Sequence, residues 1–147
     1  MDRPHLEFAI PVWNPYIKKD IDVLEKVQRR ATKRINGFKD IDYLSRLEKL
    51  DLSTLSIRRI RGDLIQMYKI NNRSEEINWH RPLSYTSSLS ASGPAKNIRG
   101  NSYRPKRELV KNCTQRSNFF TNRIVSKWNE LPNEAIQSES QNVFKSY

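Results

Sequence analysis

Cysteine, glycine and histidine are all scarce in this chain of 147 residues. Cys113 is the one cysteine, which excludes an internal disulfide and a zinc site built on paired cysteines. The two histidines, His5 and His80, have no cysteine near them in sequence to complete a metal site. With 4 glycines, the chain contains neither the dinucleotide-binding fingerprint nor the phosphate-binding loop of nucleotide hydrolases. We therefore expect no cofactor in this chain.

Long apolar runs are missing as well. No stretch approaches the ~20 apolar residues of a membrane span, and the residues from Met1 to His5 do not begin a signal peptide. A single cysteine is typical of a reducing compartment. We therefore expect an intracellular protein, in the nucleus or the cytoplasm, that is not secreted and has no membrane partner.

Acidic residues are few compared with basic ones. The chain has 27 lysines and arginines against 16 aspartates and glutamates, which gives a net charge of +11. Such an excess favours a polyanionic partner, with nucleic acid the first to consider. Because only 36% of the residues are hydrophobic, the core should be thin and the chain only marginally stable by itself.

Catalytic motifs are also absent. Phosphodiester chemistry usually needs neighbouring carboxylates that hold two divalent metals. Asp20 and Asp22 lie two residues apart on a predicted helix and so point in different directions. Asp40 and Asp42 flank a predicted helix start, where an aspartate ordinarily acts as a cap. No Gly-x-Ser-x-Gly nucleophile motif occurs. We therefore expect no catalytic residue and no metal site.

Three helices are predicted in residues 1–71. Apolar residues recur every three or four positions over residues 17–35, and Gly37 can adopt the left-handed conformation that ends a helix. Asp42 should cap a second helix that turns its leucines inward, and a third should cover residues 55–70. The stripes expected to face the core contain Ile17, Ile21, Leu24, Val27, Ala31 and Ile35, then Leu44, Leu47 and Leu50, then Ile57, Ile60, Leu64, Met67 and Tyr68. Short connections predict a small antiparallel helical bundle, so the fold class is mainly α.

Helical periodicity stops in residues 72–117, which form an irregular, basic middle segment. Residues 84–101 combine serine, proline and glycine without periodicity and predict a flexible loop. Residues 109–114 alternate only briefly, which leaves open a short β-hairpin strand or a loop. The cations of this zone are Lys96, Arg99, Arg104, Lys106, Arg107, Lys111 and Arg116.

Residues 118–147 form a C-terminal helical segment. Asn118 should cap a helix that carries Trp128 on its apolar face and stops at Pro132. Another helix begins near Ser140, but the chain ends at Tyr147, so we expect a truncated segment whose elements continue beyond both ends. Trp13, Trp79 and Trp128 are expected to anchor the packing.

The candidate functional residues are cations with the spacing to follow a phosphate backbone. Basic residues outnumber acidic ones by 7 to 3 between Lys18 and Arg34, although a merely solvated helix face is the alternative. Tyr103 lies among further cations and could stack a base. The nucleic-acid-binding candidates are Lys26, Arg29, Arg30 and Lys33, then Arg58 and Arg59, and, in the middle segment, Arg104, Lys106 and Arg107.

A series of short strings runs through nearly the whole chain. They are RPHLEFA at 3–9, PVWNP at 11–15, LEKVQRRAT at 24–32, ING at 35–37, RR at 58–59, RGDL at 61–64, YKI at 68–70, NFF at 118–120, RIV at 123–125 and WNELP at 128–132. In this order they resemble the region after the palm of reverse transcriptases from non-LTR, LINE-type retrotransposons, especially the jockey-like and RTE-like groups.

This resemblance implies the thumb and C-terminal extension of an RNA-directed DNA polymerase, which grips the RNA template and DNA primer. Its other implied partner is the upstream palm. The family's metal-binding aspartates lie in that palm, and neither they nor the endonuclease domain has a counterpart here. The resemblance therefore carries no polymerase activity onto these residues, and a divalent metal is expected only in the palm. The alternatives are a non-functional relic of a decayed retroelement or a helical module that binds proteins.

Overall fold

The computed structural model describes residues 7–80, 82–86 and 104–147, and most of them are helical. The helices are α1 (Lys18–Lys33), α2 (Tyr43–Lys49), α3 (Leu55–Asn71), α4 (Thr114–Ser117), α5 (Phe120–Asn129), α6 (Asn133–Ile136) and α7 (Gln141–Ser146). Strand pairing in these residues is limited to an antiparallel bridge between Tyr85 and Pro105. The predicted mainly α fold class is confirmed. None of the helices in the described ranges combines the length and the apolar character of a membrane span.

The chain forms two compact units, one ending at Gly62 and the other beginning at Asp63. We call them unit 1 and unit 2. The division falls inside α3, whereas the composition changes after Asn71. The two criteria differ because composition marks where helical periodicity stops, while the units record which residues pack together. The boundaries 1–71, 72–117 and 118–147 stay a prediction.

Helix α1 buries a polar face in unit 1. Glu25, Gln28 and Thr32 are buried, whereas Ile17 and Val27 of the predicted stripe are about half exposed. The prediction that the apolar stripe of this helix faces the core is therefore wrong for Ile17, Val27 and Ala31, and the other three stripe residues are only partly buried. On a helical projection the buried face lies about 70° away from the centre of that stripe. The reason is that the buried groups are hydrogen-bonded: Glu25 and Gln28 have partners in distant residues, and the Thr32 hydroxyl donates to the Gln28 carbonyl of its own helix at 3.0 Å.

The polar partners of Glu25 and Gln28 come from the segments that follow α1. Glu25 accepts hydrogen bonds from the Tyr43 hydroxyl and from the Leu55 backbone N–H, the latter at 3.2 Å. Gln28 donates to the Ser53 carbonyl at 3.1 Å and accepts from Arg58 at 2.8 Å. Buried polar groups are tolerated when they are hydrogen-bonded in this way. The network therefore fixes α1 against the starts of α2 and α3.

The local signals between α1 and α2 act as predicted. Gly37 has φ 81°, the left-handed conformation expected after a helix. Asp42 caps α2 by accepting from the backbone N–H groups of Leu44 and Ser45. Leu47 is buried, but Leu44 is 68% exposed, so its predicted inward position is wrong. The second buried position belongs to Arg46, whose guanidinium donates to the Ile41 carbonyl at 2.5 Å.

The first half of α3 also differs from its predicted orientation. Ile57 and Ile60 are exposed, and the buried positions in this half are Leu55 and Arg59. Gly62 lies where Ile10 packs: a Cβ added there would lie 3.1 Å from the Ile10 Cδ1 atom. Glycine at this position lowers the helix propensity of α3 slightly, but its missing side chain allows Ile10 to pack against the helix backbone.

Unit 2 is built around an apolar cluster. Its buried members are Met67, Tyr68, Phe120, Ile124, Trp128, Ile136 and Phe144. Tyr68 stacks on Phe144 with 4.5 Å between ring centroids, and its hydroxyl donates to the Ser138 carbonyl at 2.6 Å. The predicted apolar faces around Met67 and Trp128 are confirmed, because both side chains are fully buried. Trp79 packs against the cluster as expected, whereas Trp13 in unit 1 is 41% exposed.

In unit 2 the structure decides one alternative that the sequence left open and contradicts one local prediction. Of the strand and the loop left open for residues 109–114, the structure has a loop: Leu109 is 96% exposed, no described segment pairs with it, and α4 already begins at Thr114. Asn118 does not cap the start of α5. It ends α4, with its side chain donating to the Thr114 carbonyl at 2.9 Å, and Phe119 is the residue before α5. The predicted start of the last helix is confirmed, since Ser140 Oγ accepts from the Val143 N–H.

Candidate nucleic-acid interface

The clearest cationic surface of unit 1 is on α1. Lys26, Arg30 and Lys33 are exposed and are spaced four and three residues apart, so they share one side of the helix. Within the described ranges, none of these three side chains forms an ion pair. From Lys26 to Lys33 the helix rises about 10.5 Å, close to the rise of three nucleotides along the axis of a B-form duplex, at about 3.4 Å each. We call these three side chains the α1 cationic face.

Arg29 borders the α1 cationic face and is held in place by an aromatic ring. Its guanidinium carbon lies 4.8 Å from the centroid of the Tyr43 ring, within cation–π distance. Burial and the hydrogen bond to the Glu25 carboxylate raise the pKa of the Tyr43 hydroxyl. The phenol therefore stays neutral and continues to donate to Glu25. Arg29 is exposed, but the contact with the Tyr43 ring holds its side chain in position.

Arg58 and Arg59, the candidates from α3, are not available in the same way. Arg59 is only 3% exposed, and burial lowers the pKa of its guanidinium, an effect opposed by the Glu25 carboxylate. Arg59 is therefore not part of the exposed cationic surface, and its predicted contact with phosphate stays a prediction. Arg58 lies 2.7 Å from the Glu7 carboxylate and also donates to Gln28. Both arginines belong to the polar interior, because the buried face of α3 is not the apolar one that periodicity indicated.

Unit 2 contains a cleft of about 410 Å³ that brings together cations of the middle segment. It is lined by Pro82, Leu83, Ser84, Lys106, Arg107, Glu108, Leu109, Arg116, Thr121 and Asn122. Lys106 and Arg107 were predicted site residues, and both are exposed. Arg104 is half-buried beside them and donates to the Asn129 carbonyl at 3.3 Å. Tyr103 and the cations Lys96 and Arg99 lie outside the described residues, as does most of the predicted loop at 84–101.

Arg116 is a member of the cleft that the candidate set did not include. Its Nε and Nη2 atoms lie 2.8 and 2.6 Å from Glu108 Oε2. The Asn122 side chain links the same two segments, accepting from the Glu108 N–H at 2.9 Å and donating to the Arg116 carbonyl at 3.3 Å. A signal existed in the sequence, since Glu108 is the first acidic residue after Glu76 in a cationic stretch. Pairing it with Arg116, eight residues later, required the fold.

The described acidic residues do not form a cluster comparable with these cationic surfaces. Among the residues described, no three His, Cys, Asp or Glu side chains come together as a metal site would require. Asp20 and Asp22 are exposed on α1, and Asp42 is occupied as a cap. The chemistry presented by the described surface is therefore that of cations meeting an anionic ligand. Comparison of the chain with known protein families, with characterised proteins and with solved structures gives no match.

Proposed function

We propose that this chain binds nucleic acid through its phosphate backbone, without catalysis, as the thumb and C-terminal extension of a non-LTR retrotransposon RNA-directed DNA polymerase. The observation that carries the binding mode is the α1 cationic face, in which Lys26, Arg30 and Lys33 are exposed together without an ion pair in the described part of the chain. The family assignment is supported by the ordered strings that resemble such enzymes. The partners are the RNA template, the DNA primer and the polymerase palm.

Backbone binding of this kind follows from simple electrostatics. Each lysine or arginine that neutralises a phosphate releases condensed counterions, so affinity falls as salt rises. Three contacts correspond to a slope of about −2 to −3 in the logarithm of affinity against the logarithm of salt concentration. Such contacts position a strand but do not read its sequence. A grip of this kind suits a protein that must hold any template and primer.

The test compares two triple variants with the same change in net charge. K26Q/R30Q/K33Q removes the α1 cationic face, and K39Q/K49Q/K111Q removes three exposed lysines elsewhere in the chain. Binding to a fluorescein-labelled RNA/DNA hybrid is followed by anisotropy from 50 to 300 mM salt. We expect the first variant to lose at least tenfold in affinity and about 2 units of salt slope, and the second to lose less than threefold. Equal losses would show that only net charge matters.

A second candidate function has its own observation. Unit 1 exposes apolar side chains next to the α1 cationic face, with Val23 51% and Val27 45% exposed. Exposed apolar surface of this kind favours a protein contact, as in a helical interaction module. The variant V23S/V27S separates the two functions, because it should leave hybrid affinity within twofold. If wild-type protein does not bind the hybrid at 50 mM salt, the protein-binding function is favoured.

A further inference from the structure

The cleft of unit 2 contains more than a set of cations. We propose that it accommodates one unpaired nucleotide of a single strand, with the base stacked on the Arg116 guanidinium and the adjoining phosphates bound by Lys106 and Arg107. This inference rests on the proposed function, because it assumes a nucleic-acid partner. It goes beyond it by assigning unit 2 a contact with a base, where the α1 cationic face offers only contacts with phosphate.

The Arg116 guanidinium is a rigid, planar group at the wall of the cleft. Two of its nitrogens donate to Glu108 Oε2, at 2.8 and 2.6 Å. Its carbon lies 5.7 Å from the centroid of the Phe119 ring, which is itself 40% exposed. Bases that leave a helix stack on guanidinium planes as well as on aromatic rings. A guanidinium held at one edge by a carboxylate and supported by a ring is well suited to that role.

The surroundings of Arg116 are preorganised. Asn122 is 3% exposed and hydrogen-bonds the backbone of both Glu108 and Arg116. The segment that carries the carboxylate is thus tied to α4, which carries the guanidinium, independently of the ion pair. Binding a base there requires little ordering of side chains, and low ordering cost raises affinity.

The charge of the cleft leaves room for an anion. Glu108 neutralises Arg116, whereas Lys106 and Arg107 have no ion pair in the described part of the chain. Two uncompensated cations match the one or two phosphates that flank a single nucleotide. The volume of about 410 Å³ lies within the range of about 300 to 1,000 Å³ that small-molecule sites occupy. Leu83 and the 96% exposed Leu109 provide apolar surface for the sugar and the edge of the base.

The experiment measures the contribution of the base separately from that of the phosphates. Labelled dT12 and an abasic 12-mer with the same phosphates are compared by anisotropy with the full chain. Stacking of one base is worth about fivefold or more in affinity, so the wild type should prefer dT12 by at least that factor. R116K keeps the charge but lacks the plane, and it should abolish the preference while abasic binding changes less than twofold. R107K, the matched control, should keep the preference.

A second variant keeps the test valid if R116K misfolds. E108Q removes the carboxylate that positions Arg116 and raises the net charge by one. It should therefore strengthen binding of the abasic strand and weaken the preference for dT12, two changes of opposite direction that unfolding cannot produce. The inference is overturned if the wild type shows no preference, if R116K retains it, or if a glutamate 12-mer binds as tightly as dT12. None of these results affects hybrid binding through the α1 cationic face, so the two proposals fail separately.

Discussion

Replacing Arg123 by methionine tests the account of unit 2 most directly. Asp63 and Arg123 form a two-point ion pair across 60 residues of sequence, with nitrogen–oxygen distances of 2.8 and 2.9 Å. The side chains are only 4% and 16% exposed. Methionine preserves much of the volume of Arg123, but it removes the cation. The buried carboxylate of Asp63 then loses its bidentate partner.

The expected loss follows from the burial of this pair. Removing one partner of a buried ion pair typically costs about 3 to 5 kcal/mol, because the remaining charge is left uncompensated. Arg123 retains some solvent contact, which places the expectation at the lower end, about 3 kcal/mol. With a urea slope of about 1 to 3 kcal/mol per molar, the midpoint of unfolding should fall by about 1 to 3 M. Since small proteins are stable by only about 5 to 15 kcal/mol, this loss is large.

The assay is urea unfolding followed by circular dichroism and by tryptophan fluorescence. The matched control is K127M, which breaks the Lys127–Glu130 pair in the same unit, at 2.9 Å but 50% and 62% exposed. Exposed pairs contribute at most about 1 kcal/mol, so the K127M midpoint should hardly move. D63N/R123M should recover part of the loss, because it also removes the charge of the buried Asp63 carboxylate. Equal shifts for R123M and K127M would refute the argument that burial makes this ion pair important.

Three further perturbations test other parts of the fold. W128A empties the centre of the unit 2 cluster, where Trp128 is 0% exposed, and should destabilise by about 3 to 5 kcal/mol in the same urea assay, with W128F costing less. G37A forces a side chain into φ 81° with no contact to offset it, and a melt should show a loss of about 1 to 2 kcal/mol that G37N largely avoids. Hydrogen bonds from the side chain and backbone of Ser45 lower the pKa of Asp42 in the folded chain below its ordinary value of 3.8. The ionised Asp42 therefore stabilises the fold fully above pH 3.8, and this stabilisation is lost as the pH falls through the pKa of the folded chain. In D42N, the asparagine should still cap α2 at neutral pH, but the stability should fall less than that of the wild type as the pH is lowered. D42A should be less stable already at neutral pH. A D42N stability that falls with pH as steeply as that of the wild type would contradict this.

Local signals in the sequence were sufficient for the helices and several of their ends. The spacing of apolar residues predicted α1, α2, α3 and α5, and Gly37, Asp42 and Ser140 act at the positions expected of them. Each of these features depends on residues within one or two helical turns. The apolar face around Met67 and Trp128 was predictable for the same reason, since an apolar stripe with no polar competitor can only be buried.

The candidate sites were predictable only in part. The exposure of Lys26, Arg30 and Lys33 matches the expectation, because lysine and arginine without a partner stay in water. Arg59 departs from it, because its burial depends on which face of α3 meets the rest of unit 1. Arg116 was absent from the candidate set, because its importance comes from Glu108 and Asn122, which reach it only in the folded chain.

What the sequence determined by itself is therefore the mainly α class, the net charge of +11 and the cationic character of the chain. The tertiary structure decided which face each helix buries. On α1 that face is polar, because Glu25 meets the Leu55 N–H thirty residues away and Gln28 meets Arg58 at the same separation. Periodicity measures the apolar character of a helix face, but it does not measure whether distant partners will satisfy a polar one. Long-range hydrogen bonds outweighed the local pattern there, since a buried polar group with partners costs little and one without them costs much.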